Sequence, residues 1–137
     1  MSAENKALVR RWFEEVWTKG RADAIDEMLA GDSIIHGLGD QPMGPAGFKA
    51  FHTAYRSAFP DVTVDVDDVV AEGDKVALRW TASATHRGHL MGLAPTGQSA
   101  RFGGMGIVRV RDGKIVESWN VFDQLGMFKQ LGVATIP

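Results

Sequence analysis

The chain has 137 residues, of which 45% are hydrophobic and 23% charged, and its formal net charge at pH 7 is −2. A length of this order is typical of one domain with a single hydrophobic core, so we expect one domain over residues 1–137. The basic residues are scattered, which argues against binding to nucleic acid, because phosphates require a concentrated basic surface.

The sequence contains no cysteine, which excludes disulfide bonds and thiolate chemistry. Its first residues form a charged amphipathic pattern instead of the apolar core of a secretory signal peptide. No apolar run approaches the roughly 20 residues that a membrane-spanning helix requires. These features predict a cytoplasmic protein with no membrane partner.

Three segments in the first half of the chain carry apolar residues at helical spacing. The first covers residues 4–19, the second residues 23–30 and the third residues 45–59, where Pro45 suits the first turn and Pro60 stops the helix. Each segment has one apolar stripe, as in helices that pack on a core. Several aromatic residues lie on these stripes, namely Trp12, Phe48, Phe51, Tyr55 and Phe59.

Strand patterns occupy the rest of the sequence. A short apolar run at residues 33–36 predicts a first strand, and the alternation that starts at residue 62 predicts a second strand with a bulge near Asp68. Three further strands follow, and Asp112-Gly113 is a strong hairpin turn because both residues tolerate positive φ. Helices followed by four long antiparallel strands predict an α+β domain.

Three histidines occupy positions from which the side chain can face either a ligand pocket or the hydrophobic core. His36 ends the short first strand, and His52 lies beside the apolar stripe of the third helix. His86 shares one strand face with Trp80, so it projects from the apolar side. A pocket position and a hydrogen-bonded structural position stay open for each of them. His86 and His89 lack the spacing of two ligands on one strand face, so no metal site is predicted.

The segment 113–126 is a strand of β-branched and aromatic residues that ends on a carboxylate. Because the side chains of a strand alternate, we expect Asp123 on the face that carries Ile115, Trp119 and Val121. A carboxylate at the end of an apolar row suits proton transfer. The alternative is that Asp123 caps the short C-terminal helix that follows it.

The loop 87–99 is long and contains Leu90, Met91 and Leu93. Exposed loops rarely carry three apolar residues without a structural or functional reason. We therefore expect this loop to fold over an opening or over a partner. The sequence leaves open whether it covers a ligand or a subunit interface.

Two ordered motifs show a resemblance to a known family. The segment 112–126 resembles the closing hairpin of the SnoaL-like polyketide cyclases, within the nuclear-transport-factor-two-like superfamily. Residues 85–88 (Thr-His-Arg-Gly), Gly92 and residues 95–97 (Pro-Thr-Gly) match the family's Thr-His-x-Gly…Gly-x-x-Pro-Thr-Gly pattern. The resemblance covers nearly the whole chain. It implies a cone-shaped curved antiparallel sheet with three N-terminal helices packed on its concave face, and dimerisation through the other face.

The resemblance also implies site residues. The acid at the position of Asp123 serves as general acid/base in the family. Independently of the resemblance, His86 lies at the end of an apolar strand face, and we expect it to orient Asp123 or to share protons with it. The strand that contains Gly103, Gly104 and Gly106 departs from the family pattern, because members carry larger or polar residues there. A second catalytic residue is therefore expected to be missing, and the cavity to be wider.

We thus expect an enzyme of the polyketide-cyclase type that closes a ring by intramolecular aldol addition on a small apolar or aromatic carbonyl substrate. No cofactor is implied, and a homodimer or higher homo-oligomer is expected. The alternatives are an isomerase, an epoxide hydrolase or a hydroxylase on the same scaffold, or a non-catalytic small-ligand-binding module. The expected substrate-binding residues are Trp12, His36, Phe51, His52, Tyr55, Trp80, Met105 and Trp119.

Overall fold

The structure is a computed structural model that describes residues 2–137. It contains four α-helices and five strands in these residues. In chain order, the elements are α1 (Ser2–Trp12), a π-helical continuation (Phe13–Thr18), α2 (Ala22–Met28), β1 (Leu29–His36), α3 (Pro45–Ala58), β2 (Thr63–Glu72), β3 (Lys75–Thr85), β4 (Ser99–Arg111), β5 (Lys114–Phe122) and α4 (Gln124–Gln130).

The five strands form one sheet in the order β1-β5-β4-β3-β2. Strands β2 to β5 pair antiparallel, as predicted, and Asp112 and Gly113 form the last hairpin turn with φ of 53° and 75°. Strand β1 instead pairs parallel with β5. The predicted α+β class is confirmed, but the sheet is mixed and not purely antiparallel.

Two bulges interrupt the pairing of the strands. The register of β2 against β3 shifts between Val66 and Asp68, which confirms the predicted bulge. A second shift lies between Arg109 and Val110 on β4, where β5 inserts Val116 as an extra residue. Because one inserted residue reverses the alternation, the side chains of β5 beyond Val116 point to the opposite face from the one predicted.

The N-terminal helices pack on the concave face of the sheet. Val9 and Val16 are fully buried there, and the Trp12 and Phe48 rings lie 5.2 Å apart. The first predicted helix is continuous in space, but its last turn is π-helical, and it ends at Gly20 with φ of +68°. The second helix is shorter than predicted, because the first strand already begins at Leu29.

A second hydrophobic cluster joins α4 to the end of α3 and to β3 and β4. Phe59, Met127 and Phe128 are almost completely buried in it, and Leu90 of the long loop is buried there too. The helix α4 therefore adds a fourth helix to the three that were expected at the N-terminus. None of the helices described within residues 2–137 has the length and apolarity needed to cross a membrane.

Candidate active site

A cavity of about 100 Å³ lies between the helices and the concave face of the sheet. It is smaller than the roughly 300–1,000 Å³ of a typical small-molecule site, so a polycyclic ligand has to extend past its rim or displace side chains. Its wall is mainly apolar and rich in aromatic rings. The aromatic lining residues are Trp12, Phe13, Trp17, Phe48, Phe51, Tyr55, Phe59, Trp80, Phe102 and Phe122.

Three polar side chains interrupt this apolar wall: Tyr55, Ser118 and Asn120. The Tyr55 hydroxyl accepts a hydrogen bond of 3.1 Å from Nε2 of Gln124. Burial raises the pKa of Tyr55, and the bond from Gln124 partly opposes that shift. None of the lining residues found among residues 2–137 carries a carboxylate, an ammonium, a guanidinium or an imidazole. The cavity therefore offers neutral hydrogen-bonding groups in apolar surroundings.

The Asn120 amide has a fixed orientation. Its Nδ2 donates hydrogen bonds of 3.0 Å to the His36 carbonyl and to Ser118 Oγ. A carbonyl only accepts hydrogen bonds, so the amide nitrogen and not the oxygen must face His36. The free acceptor is thus Oδ1, and a Cβ atom at Gly106 would lie 3.4 Å from it. Asn120 can offer this oxygen to a ligand.

Gly104 makes room for the Trp80 indole. A Cβ atom at Gly104 would lie 2.4 Å from Cζ2 of Trp80 and 2.8 Å from the Val121 carbonyl oxygen. The Trp80 ring of the neighbouring strand therefore occupies the space that a side chain at Gly104 would take, and this ring lines the cavity. The expectation of a wider cavity is wrong at Gly104, because Trp80 fills the space.

The family model of the SnoaL-like polyketide cyclases matches residues 7–131. The chain belongs to this family. Two curated relatives are aklanonic acid methyl ester cyclases, and each is 31% identical over 132 residues, or 91% of this chain. They are DauD of Streptomyces sp. (strain C5), of which 80% is covered, and DnrD of Streptomyces peucetius, of which 88% is covered.

Solved structures of SnoaL-like proteins share the fold. AclR of Streptomyces galilaeus, a proposed hydroxylase, has a TM-score of 0.89 and 32% identity, with 100% of this chain and 87% of AclR covered. IdmH of Streptomyces antibioticus, a proposed polyketide cyclase, has a TM-score of 0.83 and 33% identity, with 94% of this chain and 99% of IdmH covered. The family predicted from the two sequence motifs is confirmed, and the predicted cyclase-type enzyme agrees with it.

Four of the eight predicted substrate-binding residues line the cavity. They are Trp12, Phe51, Tyr55 and Trp80. Trp12 comes from α1, Phe51 and Tyr55 from α3 and Trp80 from β3. The helical and strand periodicities therefore identified the inward-facing aromatic residues correctly in these elements.

Three other predicted residues, His36, Met105 and Trp119, lie on the outer face of the sheet instead. Met105 and Trp119 are 62% and 37% exposed. His36 stacks on Trp119 with ring centroids 5.5 Å apart, and its Nε2 bonds Glu117 at 2.8 Å. Hydrogen bonds from His36 and Arg109 lower the pKa of Glu117. The predicted pocket positions are wrong: Val116 reverses the phase of β5, and Met105 alternates with inward-facing residues of β4.

His52 has a structural position. It is buried, its Nε2 lies 2.7 Å from the Val16 carbonyl oxygen, and its ring packs against Trp17 at 5.0 Å. Burial lowers the pKa of His52, which keeps the ring neutral. His52 is not among the lining residues. Its position matches the hydrogen-bonded alternative and not the predicted place in the pocket wall, and it holds α3 against the π-helical turn.

His86 is fully buried and organises the long loop. Its Nδ1 accepts a hydrogen bond of 3.1 Å from the Thr96 backbone N–H, and its own backbone pairs with Gln98 and Gly97. Because Nδ1 accepts, the proton of the neutral ring is on Nε2, which has no hydrogen-bond partner within residues 2–137. Burial lowers the pKa of His86. His86 does not line the cavity or bond Asp123 in the described residues.

Asp123 follows the last strand and caps α4. Its Oδ1 accepts a hydrogen bond of 2.8 Å from the Gly126 N–H. The side chain is exposed, and the expectation that it is buried in an apolar row is wrong because of the bulge at Val116. Its neighbour Phe122 lines the cavity, whereas Asp123 is not among the lining residues. The capping alternative is correct, which does not decide its chemical role.

Sequence patterns do not identify Ser118, Asn120 or Gln124 as site residues. Ser118 and Asn120 were assigned to the outer face, because the alternation of β5 was counted from Ile115 across the bulge. Gln124 lies just after the strand, where sequence alternation says nothing about direction. The sequence does carry one signal for Asn120: this polar residue lies between Trp119 and Val121, and a polar side chain on a buried face requires hydrogen-bond partners.

Within residues 2–137 no group of three or more potential metal-binding side chains occurs.

Proposed function

We propose that this chain closes a ring by intramolecular aldol addition on an apolar or aromatic polyketide ester that enters the cavity. The observation that carries the proposal is the apolar, aromatic wall with neutral hydrogen-bonding groups in a SnoaL-like protein. Aklanonic acid methyl ester, which the curated relatives cyclise, is the first substrate to examine. The wall can bind such rings by stacking, and its few polar groups can orient their carbonyls.

The proposed reaction requires only proton transfer and positioning. A base removes a proton from the carbon between two carbonyl groups, which gives an enolate. The enolate carbon then attacks a second carbonyl carbon of the same molecule, so a carbon–carbon bond forms and the carbonyl oxygen becomes an alkoxide. The protonated base returns its proton to this oxygen. Atoms and charges balance, so the reaction as written needs no cofactor.

Asp123 is the proposed base. Its Oδ2 has no hydrogen bond within residues 2–137, and the residue directly follows Phe122, which lines the cavity. Because the cavity holds only part of a polycyclic ligand, the reacting carbon can lie outside it, beside Asp123. A positioned general base contributes on the order of 10² to 10⁴ in rate. For His86 we propose a positioning role, in which it holds the long loop through Thr96.

Filling the cavity tests whether the substrate binds there. Ala82 lines the cavity and is buried, so Ala82→Leu adds three carbon atoms to its wall. We expect this variant to fold and to lose ring closure of aklanonic acid methyl ester, measured by mass spectrometry. The matched control is Ala77→Leu on the same strand, which does not line the cavity and should retain activity. Equal activity in both variants would contradict binding of the substrate in the cavity.

A hydroxylase is the second candidate, because the chain is 32% identical to AclR. Oxygen uptake with a bound substrate would favour hydroxylation, whereas anaerobic ring closure favours a cyclase. We rank an epoxide hydrolase lower, since the lining residues described lack the carboxylates and arginine expected there. A pure binding module would bind the ester without turnover.

We also propose a homodimer that forms through an outer patch of Met105, Ile107, Trp119 and Val121. Met105 is paired across the strands with Val121, and Ile107 with Trp119, so the four side chains are contiguous. All four are exposed, although large exposed apolar patches are uncommon on monomers. A second copy of the same sheet face would cover the patch. The cytoplasmic location stays a prediction from the sequence.

A further inference from the structure

The Tyr55 ring is held in one orientation at the cavity wall. It stacks on Phe51 with ring centroids 4.5 Å apart and meets Phe122 edge-on at 6.1 Å. All three rings line the cavity. Because aromatic contacts fix the ring on two sides, the position of the hydroxyl oxygen is set before any ligand binds.

Gln124 determines which way the hydroxyl bond runs. Its Nε2 lies 3.1 Å from the Tyr55 oxygen and 3.7 Å from Sδ of Met91. A thioether accepts hydrogen bonds but cannot donate, so the amide nitrogen is the atom that serves both neighbours. Tyr55 is then the acceptor and keeps its own proton. No described residue accepts that proton.

The loop turn holds Met91 in place beside Gln124. Leu90 and Leu93 exchange two backbone hydrogen bonds of 3.0 and 2.8 Å, and Met91 and Gly92 between them have φ of 49° and 83°. Two consecutive positive φ values define a tight turn of fixed shape. The turn therefore fixes the Met91 backbone near Gln124, and the Met91 sulfur lies 3.7 Å from the Gln124 amide nitrogen.

We propose that Tyr55 is a catalytic hydrogen-bond donor to the substrate oxygen that becomes negative during ring closure, and that Gln124 is the positioning residue that leaves its proton free. This inference rests on the proposed aldol reaction. A donor in apolar surroundings stabilises a developing oxyanion more than it would in water. Burial also raises the pKa of Tyr55, so the phenol keeps its proton at neutral pH.

Tyr55→Phe removes the donor and retains the aromatic contacts. We expect its kcat for ring closure of aklanonic acid methyl ester to fall about 10²-fold, which is the loss typical of one deleted oxyanion donor. KM should change little, because the apolar contacts remain. Unchanged kcat in a folded variant would overturn the proposal.

Two variants of Gln124 separate its effect on the direction of the Tyr55 proton from a merely structural role. An ionised glutamate can only accept, so in Gln124→Glu the Tyr55 proton turns toward the carboxylate. We expect kcat of Gln124→Glu to fall nearly as far as that of Tyr55→Phe, and the double variant to be no slower than Tyr55→Phe. Gln124→Leu has no hydrogen-bonding atom in its side chain, so the Tyr55 proton stays free and kcat should stay within about fivefold of wild type. Equal losses in Gln124→Glu and Gln124→Leu would overturn the positioning role.

The wild-type assay separates this inference from the proposed function. If wild type closes the ring and Tyr55→Phe does so equally fast, only the role of Tyr55 fails. If wild type binds the ester but neither closes the ring nor exchanges its acidic proton, the proposed function fails and this inference fails with it. Near-ultraviolet circular dichroism of each variant confirms that the cavity wall is intact.

Discussion

The Oδ1 atom of Asp123 accepts a hydrogen bond of 2.8 Å from the backbone N–H of Gly126. The residue proposed as the base is thus also the N-cap of α4, the helix that places Gln124 beside Tyr55. A change at this residue can therefore alter both the chemistry and the helix. Substitutions must be chosen so that the two effects are measured apart.

Asp123→Ala should lower the free energy of unfolding by about 1 kcal/mol, because the helix loses its cap. Asp123→Asn keeps a side-chain oxygen for the Gly126 N–H and should lie within a few tenths of a kcal/mol of wild type. Urea unfolding followed by circular dichroism measures both values. Equal stability of the two variants would show that the cap contributes little.

Gly104→Ala should destabilise the fold by about 1–3 kcal/mol, because its Cβ would meet the Trp80 ring and the Val121 carbonyl. Gly31→Ala is the matched control, since a Cβ there has no heavy atom within 4 Å. Urea unfolding monitored by tryptophan fluorescence compares the two. If Gly104→Ala is as stable as the control, the close packing of Trp80 on Gly104 is incorrect.

The stability of the protein should fall at acidic pH in part through His86. Its pKa is lowered in the folded protein, so below the ordinary value of about 6.5 the unfolded chain binds more protons. Stability from this residue is present above that pH and is lost as the pH falls. His86→Asn, which retains an acceptor in place of Nδ1, should reduce the loss between pH 7 and pH 5.5. An unchanged slope, equal to that of the exposed control His89→Asn, would contradict this role.

Val121→Asp should convert the proposed dimer into a monomer. Val121 is 72% exposed, and a carboxylate there would be buried without a partner if the outer patch is covered. Sedimentation of wild type and of Val121→Asp at several concentrations measures the change. Val70→Asp, which is also exposed but lies on the edge strand β2, is the control. A wild-type protein that sediments as a monomer would contradict the dimer.

Local patterns predicted much of the fold. The helix that begins at Pro45, the turn at Asp112-Gly113 and the inward position of Trp80 depend on neighbouring residues, so the sequence reveals them. Even the burial of His86 follows from simple alternation along β3.

The errors at the site have one main cause. The bulge at Val116 depends on how β5 pairs with β4, which is a long-range property that alternation cannot show. Because of this bulge, the Trp119 side chain faces away from the cavity and the Asn120 side chain faces into it. The partner of His52 likewise becomes visible only when the chain is folded, because the Val16 carbonyl is distant in sequence. The cap that Asp123 forms at Gly126 is a local pattern, and the sequence already offers it.

The most direct test of the account is the exchange of solvent deuterium into the acidic carbon of aklanonic acid methyl ester and simpler 1,3-dicarbonyl compounds. Wild type and Asp123→Asn are compared by mass spectrometry, with Asp112→Asn, at the opposite end of β5, as the control. We expect rapid exchange with wild type and the control, and a loss of about 10² or more with Asp123→Asn. Exchange that is equally fast in all three folded proteins would contradict the role of Asp123 as the base.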